Sequence, residues 1–226
     1  DHARVAVSLN NLALLYQDQG RFAEAEPLFR RSLGIVENAL GPDHPNVGQS
    51  LNNLAELYLK QGRIAEAETL HRRALAIREK ALGPDHPDVG QSLNNIAILN
   101  LIQGRYAEAE PLYRRALAIR EKTLGPDHAD VGQSLNNLAG LYQRQRRFDE
   151  AVPLYKRGLG IQEKALGPNH PAFGASLSSL ASMAKEQGSY ADAERISRRS
   201  LGITEKAFGP EHPDVAAELA NLAFIY

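Results

Sequence analysis

The sequence predicts an all-α chain of stacked helix-turn-helix units, and three observations carry that prediction. The first is a repeat of fixed period. Leu9-Asn10-Asn11-Leu12-Ala13 returns as Leu51-Asn52-Asn53-Leu54-Ala55, Leu93-Asn94-Asn95-Ile96-Ala97 and Leu135-Asn136-Asn137-Leu138-Ala139, each 42 positions after the last. Weaker copies keep the register at Leu177-Ser178-Ser179-Leu180-Ala181 and Leu219-Ala220-Asn221-Leu222-Ala223. The second observation is two helical apolar stripes inside each period, and the third is glycine and proline between them. A fixed period of this length marks a solenoid whose units contact mainly their neighbours.

The unit that starts at Pro45 shows why each element forms. Proline suits the first turn of a helix, where its missing N–H costs nothing, and Asp43 just before it is a candidate N-cap. From Val47 onward Leu51, Leu54, Ala55 and Tyr58 fall at i, i+3, i+4 and i+7, which gives one apolar stripe. Gln61-Gly62-Arg63 breaks the pattern, with Gly62 able to take positive φ as a terminator. A second stripe follows in Ala67, Leu70, Ala74, Leu75 and Ile77 and stops at Leu82-Gly83-Pro84. Repeated along the chain, this places helix pairs at about 3–41, 45–83, 87–125, 129–167 and 171–209. The first helix of a sixth pair follows at 213–226, for eleven helices in a single domain over 1–226. Pro27, Pro111 and Pro153 lie near the edge of the first turn of a second helix, where amide donors lack intrahelical partners anyway.

Composition narrows the function classes. The chain has 226 residues, a formal net charge of −1 and no cysteine. No global field favours nucleic acid or an anionic membrane, and thiolate metal sites and disulfides are excluded. No apolar run approaches the roughly 20 residues of a membrane span. Asp1-His2-Ala3 matches Asp127-His128-Ala129, so the chain begins within a repeat, and it stops within another at Tyr226. It is expected to be a piece, natural or engineered, of something longer, and to work in the cytoplasm.

The small and large residues in Leu-x-x-Leu-Ala-x-x-Tyr…Ala…Ala resemble the tetratricopeptide repeat. The usual period there is about 34 residues. The extra length falls in a longer second helix and in the Gly-Pro-Asp-His-Pro connector, and that form resembles the kinesin light chain type. Residues 107–122, Ala-Glu-Ala-Glu-Pro-Leu-Tyr-Arg-Arg-Ala-Leu-Ala-Ile-Arg-Glu-Lys, are close to that family's second helix. The resemblance covers the whole chain and implies a right-handed superhelical solenoid with the first helices lining a concave face. It fixes a scaffold rather than a function.

Candidate chemistry also follows the repeat. His2, His44, His86, His128, His170 and His212 form a ladder in the connectors. Stacked helices sit about 8–10 Å apart, too far for neighbouring loop histidines to share an ion easily, so they read as residues bonded to the helix start. His71 stands where Phe29, Tyr113 and Tyr155 stand and reads as a packed substitute. Basic pairs such as Arg30-Arg31 and Arg72-Arg73 follow Glu26, Glu68, Glu110 and Glu194 at i, i+4, which makes a self-neutralised outer face. Val152 breaks that pairing for Lys156.

The asparagines lie off the Leu51/Leu54/Ala55/Tyr58 stripe. The resemblance implies that Asn11, Asn53, Asn95, Asn137 and Asn221 hold a bound peptide's backbone, with Asn10, Asn52, Asn94 and Asn136 beside them. A carboxamide both donates and accepts, so it can grip a peptide unit whatever its side chain. The alternative is that they bond across to the adjacent repeat and only organise the stack. Around them lie Gln49, Glu56, Leu59 and Lys60, then Gln91, Ile98, Leu101 and Ile102. Gln133, Gly140, Gln143 and Arg144 follow, and then Ser182, Lys185 and Glu186. The family's paired-lysine clamp is absent, since Lys60 and Arg144 are isolated, and its basic groove for acidic cargo is weak.

These readings give a protein-interaction module that holds a partner's peptide segment in its groove. No enzyme motif stands out, and no cofactor, metal, nucleic acid or membrane is expected. Two alternatives stay open: a regulatory or sensor arm of a larger signalling or effector protein, and a passive self-associating array. Self-association would run through the unfinished faces around Val5, Leu9 and Leu12 and around Leu219, Leu222, Ala223 and Tyr226.

Overall fold

The computed structural model describes the backbone of residues 2–224 and the side chains of residues 4–224. Tyr226 and the side chain of His2 lie outside the described residues. Eleven α-helices and no strand make up the described chain. They are α1 His2–Asp18, α2 Phe22–Leu40, α3 Pro45–Lys60, α4 Ile64–Leu82, α5 Pro87–Ile102 and α6 Tyr106–Leu124. The rest are α7 Ala129–Arg144, α8 Phe148–Leu166, α9 Pro171–Glu186, α10 Tyr190–Phe208 and α11 Pro213–Ala223. Two compact units divide between Ile119 and Arg120, inside α6, and both are built from the same helix pairs.

Each helix starts and stops for a local reason. The first helices are capped by histidine rather than by the preceding aspartate. Nδ1 of His44 accepts from the Asn46 amide at 3.2 Å, and His86, His128, His170 and His212 repeat the bond on Asp88, Asp130, Ala172 and Asp214. This corrects the expectation for Asp43, whose carboxylate pairs instead with Lys80. Only one residue separates that histidine from the amide it caps, so a short acid two positions before the proline is displaced. Among the described residues no three histidine, aspartate or glutamate side chains gather as a metal site.

First helices end in a left-handed residue. At the end of α3 the Arg63 amide reaches Tyr58 O at 2.8 Å and the Gly62 amide reaches Leu59 O at 3.0 Å, with Gly62 at φ 74°. These two hydrogen bonds close the last turn. In the fourth repeat Arg146 takes that place at φ 59°, a conformation that costs a residue with a Cβ about 1 kcal/mol. Pro27, Pro111 and Pro153 sit inside their helices, past the first turn. Each therefore removes a bond that would otherwise form, because the second helices begin a few residues earlier than the proline positions suggest.

The apolar stripes pack as predicted, and they pack tightly because of alanine. Ala13, Ala25, Ala55 and Ala67 belong to one buried cluster with Phe29, Leu54 and Tyr58. The second unit keeps the same small residues at Ala139, Ala151, Ala181 and Ala193, all buried. The second helices add what polarity conceals, since His71 and Arg78 are both buried with their stripe.

Between repeats the surface is laced by ion pairs. Glu26 accepts from Arg30, from the Tyr58 hydroxyl and from Arg63, whose guanidinium lies 3.8 Å above the Tyr58 ring. Burial alone would raise the Glu26 carboxyl; its three donors outweigh that and leave it below the usual range. The expected i, i+4 pairs form at Glu68–Arg72, Glu110–Arg114 and Glu194–Arg198. The second arginine of each pair reaches back one repeat, as in Arg73–Glu37 at 2.6 Å and Arg199–Glu163 at 2.6 Å. Exposed pairs of this kind contribute about 0–1 kcal/mol each.

His71 is the weak point of this packing. It is fully buried, and neither ring nitrogen finds a hydrogen-bond partner. Burial, and next the Arg78 charge, press its pKa from 6.5 down to about 4. The unfolded ring binds a proton below pH 6.5 while the folded ring does not, so this site's stability is present above 6.5 and falls towards pH 4. Replacing it with the residue found one repeat earlier, His71→Phe, is expected to raise stability by about 1 kcal/mol at neutral pH. The margin over the parent should widen as pH drops from 6.5 to 4. Thermal melts across that range check this, and parallel profiles would contradict it.

Candidate functional site

Within each unit the repeated carboxamides come together along its first helices. Their geometry is a set of rungs. In the first unit Asn53 Nδ2 donates to Asn10 Oδ1 at 2.8 Å, joining α3 to α1, while Gln49 Nε2 donates to Asn53 Oδ1 at 2.9 Å. Asn95 Nδ2 joins α5 to α3 through Asn52 Oδ1 at 2.7 Å and also touches Glu56 Oε1 at 3.3 Å. In the second unit Gln133 Nε2 donates to Asn137 Oδ1 at 2.9 Å. Asn136 Nδ2 donates to Ser176 Oγ at 2.7 Å and to Gln162 Oε1 at 3.1 Å.

The two asparagines of each pair therefore differ. Asn52, Asn94 and Asn136 are only 5, 7 and 6% exposed and lie in the joint between helices. Asn10, Asn53, Asn95 and Asn137 are half-buried, and Asn11 is exposed. The stripe of Leu51, Leu54, Ala55 and Tyr58 suggests a single buried face. The structure buries a second one, where neighbouring first helices of the same unit meet, and Asn52 and Asn136 bond across it.

Around the rungs the predicted residues are graded in exposure. Gln49, Lys60, Gln91, Gln133 and Arg144 are exposed, while Glu56 and Ile98 are half-buried. Burial raises the Glu56 carboxyl above its usual range, against the pull of Lys60. Gln143 Nε2 donates to Glu186 Oε1 at 2.6 Å, and Gln143 Oε1 accepts from the Tyr155 hydroxyl at 3.1 Å, a phenol that burial pushes up to about 12. Leu59 packs partly against the core rather than standing free. The face thus carries neutral donors and acceptors with scattered charges of both signs.

Sequence reasoning missed the arginines that brace this face from behind. Arg78 is 1% exposed and donates to Ser92 Oγ, Asp88 O and Gln49 Oε1 at 2.8, 3.1 and 3.0 Å. Arg120 repeats the first two contacts on Ser134 and Asp130 at 2.7 and 3.3 Å. The signal was present in the spacing: Arg78 follows Ala74 by four, on the buried stripe, and Val36 is its apolar counterpart one repeat earlier.

Comparison with known proteins agrees with this architecture. No sequence among curated proteins matches the chain. Among solved structures, a Podosopora anserina protein, described as a kinesin light chain with nearly identical TPR-like repeats, is 30% identical. The alignment covers 91% of this chain and 97% of that one with a TM-score of 0.73. BtubC (BKLC) from P. vanneervenii is 27% identical over 94% of this chain and 84% of its own, with a TM-score of 0.76. Aspartyl phosphate phosphatase F from Bacillus subtilis, at 15% identity, 100% of this chain, 60% of its own and a TM-score of 0.68, shares the fold alone. Among the described residues no helix is long and apolar enough to cross a membrane. The tetratricopeptide repeat profile matches residues 4–80, 49–122, 88–164 and 130–203, and the chain, a kinesin-light-chain-like array of interaction repeats, belongs to the tetratricopeptide repeat family.

Proposed function

We propose that this chain is a non-catalytic, cytoplasmic scaffold that holds a peptide segment of a protein partner along its carboxamide face. The observation that carries this reading is unused hydrogen-bonding capacity on side chains that are already held in place. Asn53 has one amide hydrogen on Asn10 and one lone pair filled by Gln49, which leaves a donor and an acceptor for a peptide unit. Asn95 spends its donors on Asn52 and Glu56 and keeps its oxygen. Fixing these groups before binding lowers the ordering cost of association. Selectivity would come from the residues that change between repeats, such as Glu56, Ile98 and Gly140 at one position.

The triple variant Asn53→Ala, Asn95→Ala and Asn137→Ala tests the reading. With a peptide selected from a random library against the whole chain, binding should weaken at least tenfold. The variant should keep a helical circular dichroism spectrum and a cooperative melt, lowered by about 1 kcal/mol for each lost bond. Collapse of the fold instead would assign the asparagines to the stack alone.

A second reading, self-association, has its own observation. Val5, Leu12 and Leu15 on α1 are 42, 39 and 52% exposed, and Leu219 on α11 is 48% exposed. Leu9 is half-buried and Leu222 is buried, so these faces are narrower than the stripes suggest. Apolar surface left bare favours association. Light scattering should show mass rising with concentration; a constant monomer mass up to millimolar concentration would contradict it.

A further inference from the structure

In the second and third repeats an arginine of the second helix, buried at Arg78 and half-buried at Arg120, reaches across to the next first helix. In the first repeat the counterpart is Val36, and the space is open. A cavity of about 250 Å³ lies there among α1, α2 and α3, with Val36 and Leu40 on one side and Asn46, Ser50 and Asn53 on the other. Its wall contains the counterparts of the groups that hold the internal arginines. Ser50 corresponds to Ser92 and Ser134, which accept from Arg78 and Arg120 at 2.8 and 2.7 Å. Asn46 corresponds to Asp88 and Asp130, whose carbonyls accept from the same nitrogens at 3.1 and 3.3 Å.

We infer that this cavity is a socket for an arginine side chain of the bound partner, seated where Arg78 and Arg120 sit in the following repeats. The aliphatic stem would lie along Val36 and Leu40, and the guanidinium would donate to Ser50 Oγ and the Asn46 carbonyl. Ser50 Oγ already donates to Asn46 O at 3.2 Å, which leaves both of its lone pairs for incoming N–H groups. The polar rim is continuous with the carboxamide face, since Asn10 and Asn53 line the cavity and form its first rung. A planar guanidinium can give one terminal nitrogen to both acceptors, as Arg78 and Arg120 do, and keep its other N–H groups for the carboxamide rim, which the more strongly hydrated lysine ammonium does not reproduce. This socket rests on the reading of that face as a peptide-binding surface and names one side chain the peptide should carry.

Titration of the whole ¹⁵N-labelled chain with L-argininamide, followed by NMR, tests it. Signals of Asn10, Asn46, Ser50 and Asn53 should move together and saturate. L-Norleucinamide, which has a similar stem and no guanidinium, should bind at least tenfold more weakly. Ser50→Ala should weaken argininamide at least fivefold, and Val36→Met, which fills the hollow, should abolish the saturating shifts while the melt stays cooperative. Equal binding of norleucinamide, shifts spread over the carboxylates of the outer surface, or undiminished binding to Val36→Met would each overturn the socket. Argininamide has no extended backbone for the asparagine rungs. A selected peptide that binds while argininamide does not would sink the socket alone; the reverse would sink the groove alone.

Discussion

The structure depends on how closely the two helices of a unit can approach. Alanine sets that distance: Ala13 and Ala25, Ala55 and Ala67, Ala97 and Ala109, Ala139 and Ala151 are all fully buried. A larger side chain at such a crossing would force the helices apart and strain its neighbours by about 1–3 kcal/mol. With the alanines in place, Phe29, Tyr58, Tyr113 and Tyr155 fill the remaining gaps. Each unit then offers a surface that only the next unit can cover. Stability is consequently a sum over neighbours, and no single repeat can hold its fold alone.

That arrangement separates structural positions from adjustable ones. The cap histidines, the alanines and the glutamates that tie one second helix to the next recur with the period. Variation concentrates at a few sites: Val36, Arg78, Arg120, Gln162 and Thr204 occupy one position, and Phe29, His71, Tyr113, Tyr155 and Ser197 another. Asn100 shows what such variation costs. It stands where Tyr58 and Tyr142 stand, is 1% exposed, and its side-chain oxygen Oδ1 has no hydrogen-bond partner. The stack tolerates this because Arg105 still reaches Glu68 at 2.6 Å, so the joint keeps its ion pair without the phenol. The same tolerance lets the first repeat carry a hollow where its neighbours carry a guanidinium.

How much of this was legible in the sequence depends on the range of the interaction. Helix limits, the glycine terminators and the i, i+4 pairs such as Glu26–Arg30 are local, and periodicity shows them directly. The Arg73–Glu37 pair is not legible that way, because its separation of 36 residues gains meaning only when adjacent second helices are known to lie side by side. The burial of the inner asparagines is hidden from the sequence for a related reason. A single amphipathic stripe describes a helix with one partner, whereas α3 contacts α4 on one side and exchanges bonds with α1 and α5 on the other. Arg78 was hidden by its charge, although its spacing from Ala74 placed it inside. The candidate site was legible as a row of residues, but its rungs and its cavity were not.

Deletion of residues 45–86, one full period, tests the neighbour-by-neighbour account most directly. It joins His44 to Pro87 in the register that the cap already uses, so α2 meets a first helix with the same alanines and the same Leu-Asn-Asn block. The shortened chain should keep its helical signal per residue, melt cooperatively and lose stability in proportion to one repeat and one joint. A deletion of 34 residues from the same start should break the packing. If the in-register deletion unfolds the chain as fully as the out-of-register one, the fold does not rest on a transferable contact between neighbours.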